Sequence, residues 1–156
     1  MSAITELSAQ SSEALRALNN EFAKETSFLD EARWGRLTGM ARVAFATPDA
    51  FVIALDQDAD YDSPNFLWFR DRYERFAYVD RIVVGHAAHG QGLGRALYEK
   101  LFDAAKAAGY PCLMAEVNTN PPNPGSLSFH AKMGFEAVGE VTFSPEKSVR
   151  YFARIL

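Results

Sequence analysis

The hydrophobic positions change their period several times along the chain, and each change marks an element. Ile4 to Leu7 alternate briefly, as a short edge strand does. After Ser11 or Ser12, Leu15, Leu18 and Phe22 recur at helical spacing, which predicts a capped helix over roughly 11–24. Residues 25–28 break that pattern, and Asp30 can cap a second helix over about 30–39, ended by Gly39. Arg42–Ala46 and Phe51–Leu55 read as two strands joined by a Thr-Pro-Asp-Ala hairpin turn. Ala77–Val84 carries the β-branched run of an interior strand in Val79, Ile82, Val83 and Val84. Leu93, Leu97, Leu101, Ala105 and Ala108 then form one helical face, closed by Gly109 and Pro111.

Beyond that helix, Cys112–Val117 is a short apolar strand, and the connecting crossover predicts that it runs parallel to strand 77–84. A proline-rich loop follows, and Pro124 or Gly125 opens a short helix over Ser126–Lys132. Phe135–Phe143 and Val149–Leu156 are the last strands, joined by Ser144-Pro145-Glu146-Lys147. The order predicts an α/β domain spanning residues 1–156, with a mixed sheet and helices on both faces.

One segment does not fit a short connection. Asp56 to Phe76 sets Tyr61, Phe66, Trp68, Phe69, Tyr73 and Phe76 among acids and arginines, and long loops of this kind tend to be functional. Its aromatics read as a specificity pocket, as a loop tucked onto the sheet, or as a dimer contact. Packing is the simplest reading for most of them taken singly.

Composition removes several classes of function. With 48% hydrophobic and 23% charged residues in 156, the chain is ordinary globular material able to bury its own core. A net charge of −4 argues against a binder of nucleic-acid backbone. Its single cysteine, Cys112, excludes an intrachain disulfide, favours a cytoplasmic protein and reads as a small core residue. The first ten residues lack a signal-peptide layout, and no apolar run suits a membrane span.

The chemistry gathers at the junction of strand 77–84 with the helix that follows. Gly90, Gly92 and Gly94 alternate where the helix begins, and helix N-termini expose unpaired N–H groups and partial positive charge. Glycines there let an anion approach closely, so the turn reads as a phosphate cradle, with an ordinary tight turn as the alternative. It is not a triphosphate P-loop, because Gln91-Gly92 stands where Lys-Ser/Thr is needed. It is a poor dinucleotide fingerprint, because Arg95 occupies the third glycine position.

His89-Gly90-Gln91-Gly92-Leu93-Gly94 instead resembles the Q/R-x-x-G-x-G/A loop of the GNAT superfamily of acyl-CoA N-acyltransferases, with His89 in place of Gln or Arg. A second run, Asn123-x-x-Ser126-x-x-x-His130-x-x-x-Gly134-Phe135, is similar to that family's N-x-x-A-x-x-x-Y-x-x-x-G-F segment. The resemblance covers essentially the whole chain. It implies a largely antiparallel sheet with a central parallel pair that splays apart. It also implies acetyl-CoA as cosubstrate. Residues His89, Gly90, Gln91, Gly92, Leu93, Gly94 and Arg95 would hold the pyrophosphate. The cofactor arm would lie against Ile82, Val83 and Val84, with Asn123, Ser126, Phe129 and His130 beside it. A dimer through the C-terminal strands follows from family analogy only.

Acetyl transfer to an amine needs a base for the ammonium, a donor for the developing oxyanion and an acid for the departing thiolate. Glu116, in Ala-Glu-Val-Asn, resembles the glutamate of ribosomal-protein N-terminal acetyltransferases and is the first candidate base. Asp80 is the second; alternation puts it on one face with Tyr78 and Ile82, and a salt bridge with Arg81 is its competing reading. A backbone N–H near Val83 or Val84 is the candidate oxyanion donor. His130 takes the position of the family's tyrosine acid, against a reading as a polar helix-edge residue. His86, His89 and His130 show no metal-ligand spacing. The expected function is transfer of an acetyl group from acetyl-CoA to a primary amine by direct attack. The alternatives are a CoA-binding regulatory module without turnover, and an interaction domain built on the aromatic segment.

Overall fold

A computed structural model describes residues 3–10, 12–24 and 26–156, so the Ser11 cap and the break at Glu25 lie outside the described residues. The elements are β1 (Thr5–Glu6), α1 (Ser12–Glu21), α2 (Glu31–Met40), β2 (Val43–Thr47), β3 (Ala50–Asp56), α3 (Pro64–Arg70), β4 (Ala77–Val84), α4 (Leu93–Ala107), β5 (Cys112–Asn120), α5 (Pro124–Lys132), β6 (Glu136–Ser144) and β7 (Lys147–Ile155). Among the described residues, seven strands form one sheet in the order β1-β2-β3-β4-β5-β7-β6. Every neighbouring pair is antiparallel except β4 and β5. This is the mixed, largely antiparallel sheet with a central parallel pair that the motifs implied.

Local chemistry explains most boundaries. Asp30 accepts a hydrogen bond from the Arg33 amide at 2.8 Å and caps α2 as expected. Helix α2 runs one residue past Gly39, to Met40. Gly109, at φ +90°, lets Tyr110 N–H return to Ala105 O and stops α4. The sheet divides two cores. On one side Phe51, Ile53, Leu55 and Tyr78 meet Leu15, Trp34, Leu37, Phe66 and Phe69 of α1, α2 and α3. On the other, Val52, Ala54 and Val79 meet Leu97, Tyr98 and Leu101 of α4, with Phe135 after α5.

Three features depart from the sequence reading. Strand β5 continues through Asn120, three residues beyond the expected end at Val117. The aromatic segment contains α3, which buries Phe66 and Phe69 completely, a burial that contributes about 3–6 kcal/mol. Its Trp68 stacks on Tyr151 of β7 at 4.3 Å and lies over Gly139 of β6, where a Cβ would come within 2.5 Å of the indole. Packing therefore accounts for these aromatics.

The third departure corrects the face on which Ile82 was expected. In β4, Val79 pairs with Ala54 and Arg81 with Ile53, so Asp80 is the extra residue of a β-bulge. Tyr78 and Val83 consequently reach the α1–α3 core, whereas Val79, Ile82 and Val84 reach the α4 side. Asp80 keeps company with Tyr78, as alternation gave, but Ile82 faces the other way.

Candidate active site

Strands β4 and β5 pair only at Ala77–Leu113 and Tyr78–Met114. Past that point they part: β5 stays paired with β7 and β4 with β3, leaving a gap in the middle of the sheet. A cavity of about 180 Å³ fills the gap and is lined by Asp80, Tyr98, Glu116, Asn118, His130 and Lys147, among others. A cleft of about 950 Å³ runs from Ile82, Val83 and Val84 past Gly90, Gly92 and Gly94 to Phe129. Thr26, Ile82, Asn123 and Ser126 line both spaces, so the cleft opens into the cavity.

Glu116 projects from the middle of β5. The Tyr78 hydroxyl lies 2.8 and 2.9 Å from its two oxygens and donates to the carboxylate. Asn65 Nδ2 donates to Oε1 at 3.2 Å, and Tyr151 donates to Asn65 Oδ1 at 2.8 Å. Burial pushes the Glu116 carboxyl up to about 8; the Tyr78 bond opposes that rise, and the Asp80 charge adds to it. The Tyr78 phenol is raised well above its ordinary range, by burial first and then by Glu116. It is a fixed donor at neutral pH.

Asp80 is engaged differently. Its Oδ2 meets Arg81 Nε at 2.7 Å and its Oδ1 accepts from Tyr61 at 2.6 Å. The buried guanidinium continues to Asn19 Oδ1 at 3.0 Å and Ser27 Oγ at 3.2 Å, tying α1 and the segment after it to the bulge. The ion-pair reading of Asp80 is therefore present in the structure.

His130 sits on α5 and is 3% exposed. Its Nδ1 lies 2.8 Å from the Ser126 carbonyl, which can only accept, so Nδ1 carries the proton. Tyr98 O–H then donates to Nε2 at 2.8 Å. Burial lowers the imidazole pKa, with the Ser126 bond pulling the other way, and both ring nitrogens already have partners.

A 3-10 turn over His86–Ala88 leads into Gly90 and Gly92, at φ +79° and +73°, and Gly92 caps α4. A Cβ at either glycine would protrude into space that is now open. His89 turns back, and its Nε2–H donates to Val84 O at 2.8 Å. Gln91 bonds within the loop to Ala87 O at 3.4 Å, and exposed Arg95 pairs with Glu99. Asn123 accepts from Ser126 N at 3.3 Å and caps α5.

A family model described as "Acetyltransferase (GNAT) family" matches residues 5–135. The chain belongs to that family. It is accordingly an acyltransferase, whose family activity is acetyl transfer to an amine. No curated protein matches the chain in sequence. Among solved structures, the ribosomal-protein-alanine N-acetyltransferase of Brucella melitensis superposes with TM-score 0.74 at 20% identity, covering 99% of each chain. The NatC complex bound to Gag peptide and CoA gives 0.75 at 13% identity, covering 99% of this chain and 98% of that one. The yncA protein of Salmonella typhimurium, solved with its cofactor acetyl-CoA, gives 0.68 at 16% identity, covering 99% and 94%. At these identities the likeness establishes the fold.

Within this GNAT domain, the residues expected from sequence fall into two groups. Glu116, Asp80, His130, Asn123 and Ser126 line the small cavity, and Ile82 to Val84 with His89, Gly90, Gly92, Leu93, Gly94, Arg95 and Phe129 line the cleft. Gln91 does not line either space. Sequence reasoning missed Asn65, Tyr98, Asn118 and Lys147. The helix that delivers Asn65 was signalled by Ser63-Pro64, a cap residue followed by proline at the first helical position. Tyr98 belongs to the apolar face of α4 and gave no separate signal. Among the described residues, no group of three or more His, Cys, Asp or Glu side chains is placed to hold a metal, and no helix is long and apolar enough to cross a membrane.

Proposed function

We propose that the chain binds acetyl-CoA in the 950 Å³ cleft and transfers the acetyl group to a primary amine in the sheet gap, with Glu116 as the base. The observation that carries this reading is the junction of cleft and cavity at Thr26, Ile82, Asn123 and Ser126. The open space over Gly90 and Gly92 suits the phosphate oxygens of the cosubstrate, and the unpaired edge of β4 suits the amides of its arm. The thioester supplies an activated carbonyl. The chain supplies everything else.

Glu116 is suited to take a proton from an ammonium because burial holds its carboxyl at about 8, near the basicity of the group it serves. Tyr78 and Asn65 fix its orientation. Asp80, closed by Arg81 and Tyr61, shapes the wall and leaves the base role to Glu116. A β4 amide at Val83 or Val84 is the oxyanion donor in this reading. His130 has no proton free for the departing thiolate in this arrangement, since Nδ1–H is held by the Ser126 carbonyl and Nε2 accepts from Tyr98. That same observation favours a second reading, an acyl-CoA-binding module without turnover.

Calorimetry with acetyl-CoA, followed by thiol release against an amine panel, tests both readings. Micromolar-range binding, lost in Gly92→Glu, with amine-dependent thiol release, lost in Glu116→Gln, is the expected result. Binding without thiol release leaves the second reading standing, and no binding overturns both.

A further inference from the structure

The small cavity holds a cation that the transfer chemistry does not use. Lys147 opens β7 and is half-buried, and its Nζ donates to Asn118 Oδ1 at 2.7 Å. Among the described residues no carboxylate lies within ion-pair distance of it. Asn118 follows Glu116 by two residues on β5 and shares its face, which puts the two side chains about 6.6 Å apart along the strand. The ammonium of Lys147 is thus held by the side chain that neighbours Glu116 on that face, and all three line the cavity.

The remaining charges of the cavity do not offset it. Asp80 and Arg81 neutralise each other, and Asp80 takes a further hydrogen bond from Tyr61. Tyr98 and His130 are bonded to one another. Burial keeps the Glu116 carboxyl at about 8, so at neutral pH it is mostly protonated and offers little attraction to a cation. An acceptor that brings only an ammonium leaves Lys147 without an anionic partner. An acceptor that also brings an anion answers Lys147 and gains a charge-assisted hydrogen bond.

We propose that the acceptor is a small primary amine carrying a carboxylate, of the amino-acid class, with its amine at Glu116 and its carboxylate on Lys147. Glu116 and Lys147 line the same cavity, so one small molecule can meet both side chains. This inference rests on the transferase reading above and adds the acceptor class to it. Peptides with an acidic residue near the amine are the competing source of the same charge pattern.

The test is a panel of amino acids beside their carboxamides, assayed for acetyl-CoA-dependent thiol release with the wild type, Lys147→Met and Lys147→Arg. The expected result is a kcat/KM ratio of acid to carboxamide that falls at least tenfold in Lys147→Met and is largely kept in Lys147→Arg. The pair's own difference in amine basicity cancels, because the same two compounds meet each enzyme. Lys147→Glu reverses the preference towards diamines.

An acid-to-carboxamide ratio that is the same in wild type and Lys147→Met overturns the inference while leaving the transferase reading intact. Turnover confined to acidic peptides overturns the amino-acid assignment. Acetyl-CoA binding with no amine acetylated overturns the transferase reading itself and this inference with it.

Discussion

Asn65 of α3 and Glu116 of β5, 51 residues apart in the chain, are joined by a 3.2 Å hydrogen bond, and Tyr151 fixes the other end of the Asn65 amide. The bond favours the ionised carboxylate and so works against its desolvation. Asn65 is therefore a positioning residue. Asn65→Ala is expected to lower kcat about tenfold, as lost general-base alignment does, and to move the rising limb of the pH–rate profile to higher pH. Tyr151→Phe is expected to do the same more weakly. A loss of rate with an unmoved limb would reduce Asn65 to a packing role.

The pH dependence of the wild type follows from Glu116. A base must be ionised, and this one titrates at about 8, so kcat/KM is expected to rise as pH climbs through that value. Glu116→Gln is expected to cost on the order of 10²–10⁴-fold in rate and to abolish that limb. Steady-state kinetics from pH 6 to about 9.5 decides it.

Stability should move in the opposite sense. The Glu116 carboxyl titrates near 4.5 when unfolded and at about 8 when folded, so folding holds its proton across that window. Its contribution is complete below 4.5 and is lost as pH rises towards 8, by about 1.4 kcal/mol for each unit in between. Glu116→Gln carries no such penalty. Its melting temperature is expected to overtake that of the wild type at pH 9 and to lose the advantage at pH 5, by thermal unfolding.

Arg81→Met removes the buried partner of Asp80 and strands a carboxylate whose side chain is only 4% exposed. A loss of about 3–5 kcal/mol is expected in denaturant unfolding. Asp80→Leu added to it should return much of that loss, because the uncompensated charge disappears.

Gly139→Ala drives a methyl into Trp68, which lies 2.5 Å from the position a Cβ would take. The indole must leave its stack on Tyr151, and overpacking of this kind costs about 1–3 kcal/mol. Because Trp68 and Asn65 share α3, the rate should fall along with stability. Intrinsic tryptophan fluorescence reports the displacement directly.

Much of this architecture was written in local patterns. The run of Val79, Ile82, Val83 and Val84 marked the interior strand, and the glycines at 90 and 92 marked a loop whose backbone needs positive φ. The two family-like motifs together located the cleft, since each depends on spacing within one turn and helix. What remained hidden depended on distant partners. The seven residues of α3 make fewer than two helical turns, too few to establish a period, so their aromatics looked like a loop. The face of Ile82 was hidden because alternation assumes one residue per pleat, and β4 contains one more. Nothing near Lys147 in sequence predicts Asn118 beneath it, because that contact is made across the β5–β7 pairing.

That additional residue in β4 also governs how far the central strands can zip. The ladder between β4 and β5 stops at Tyr78, one residue before the bulge begins to bend its strand away. A straight strand of equal length would carry the ladder onward, bring Glu116 beneath a neighbouring backbone and seal the sheet where a substrate now has room to enter. Asp80 thus does its work by being surplus. It is a spacer that keeps a seam unstitched.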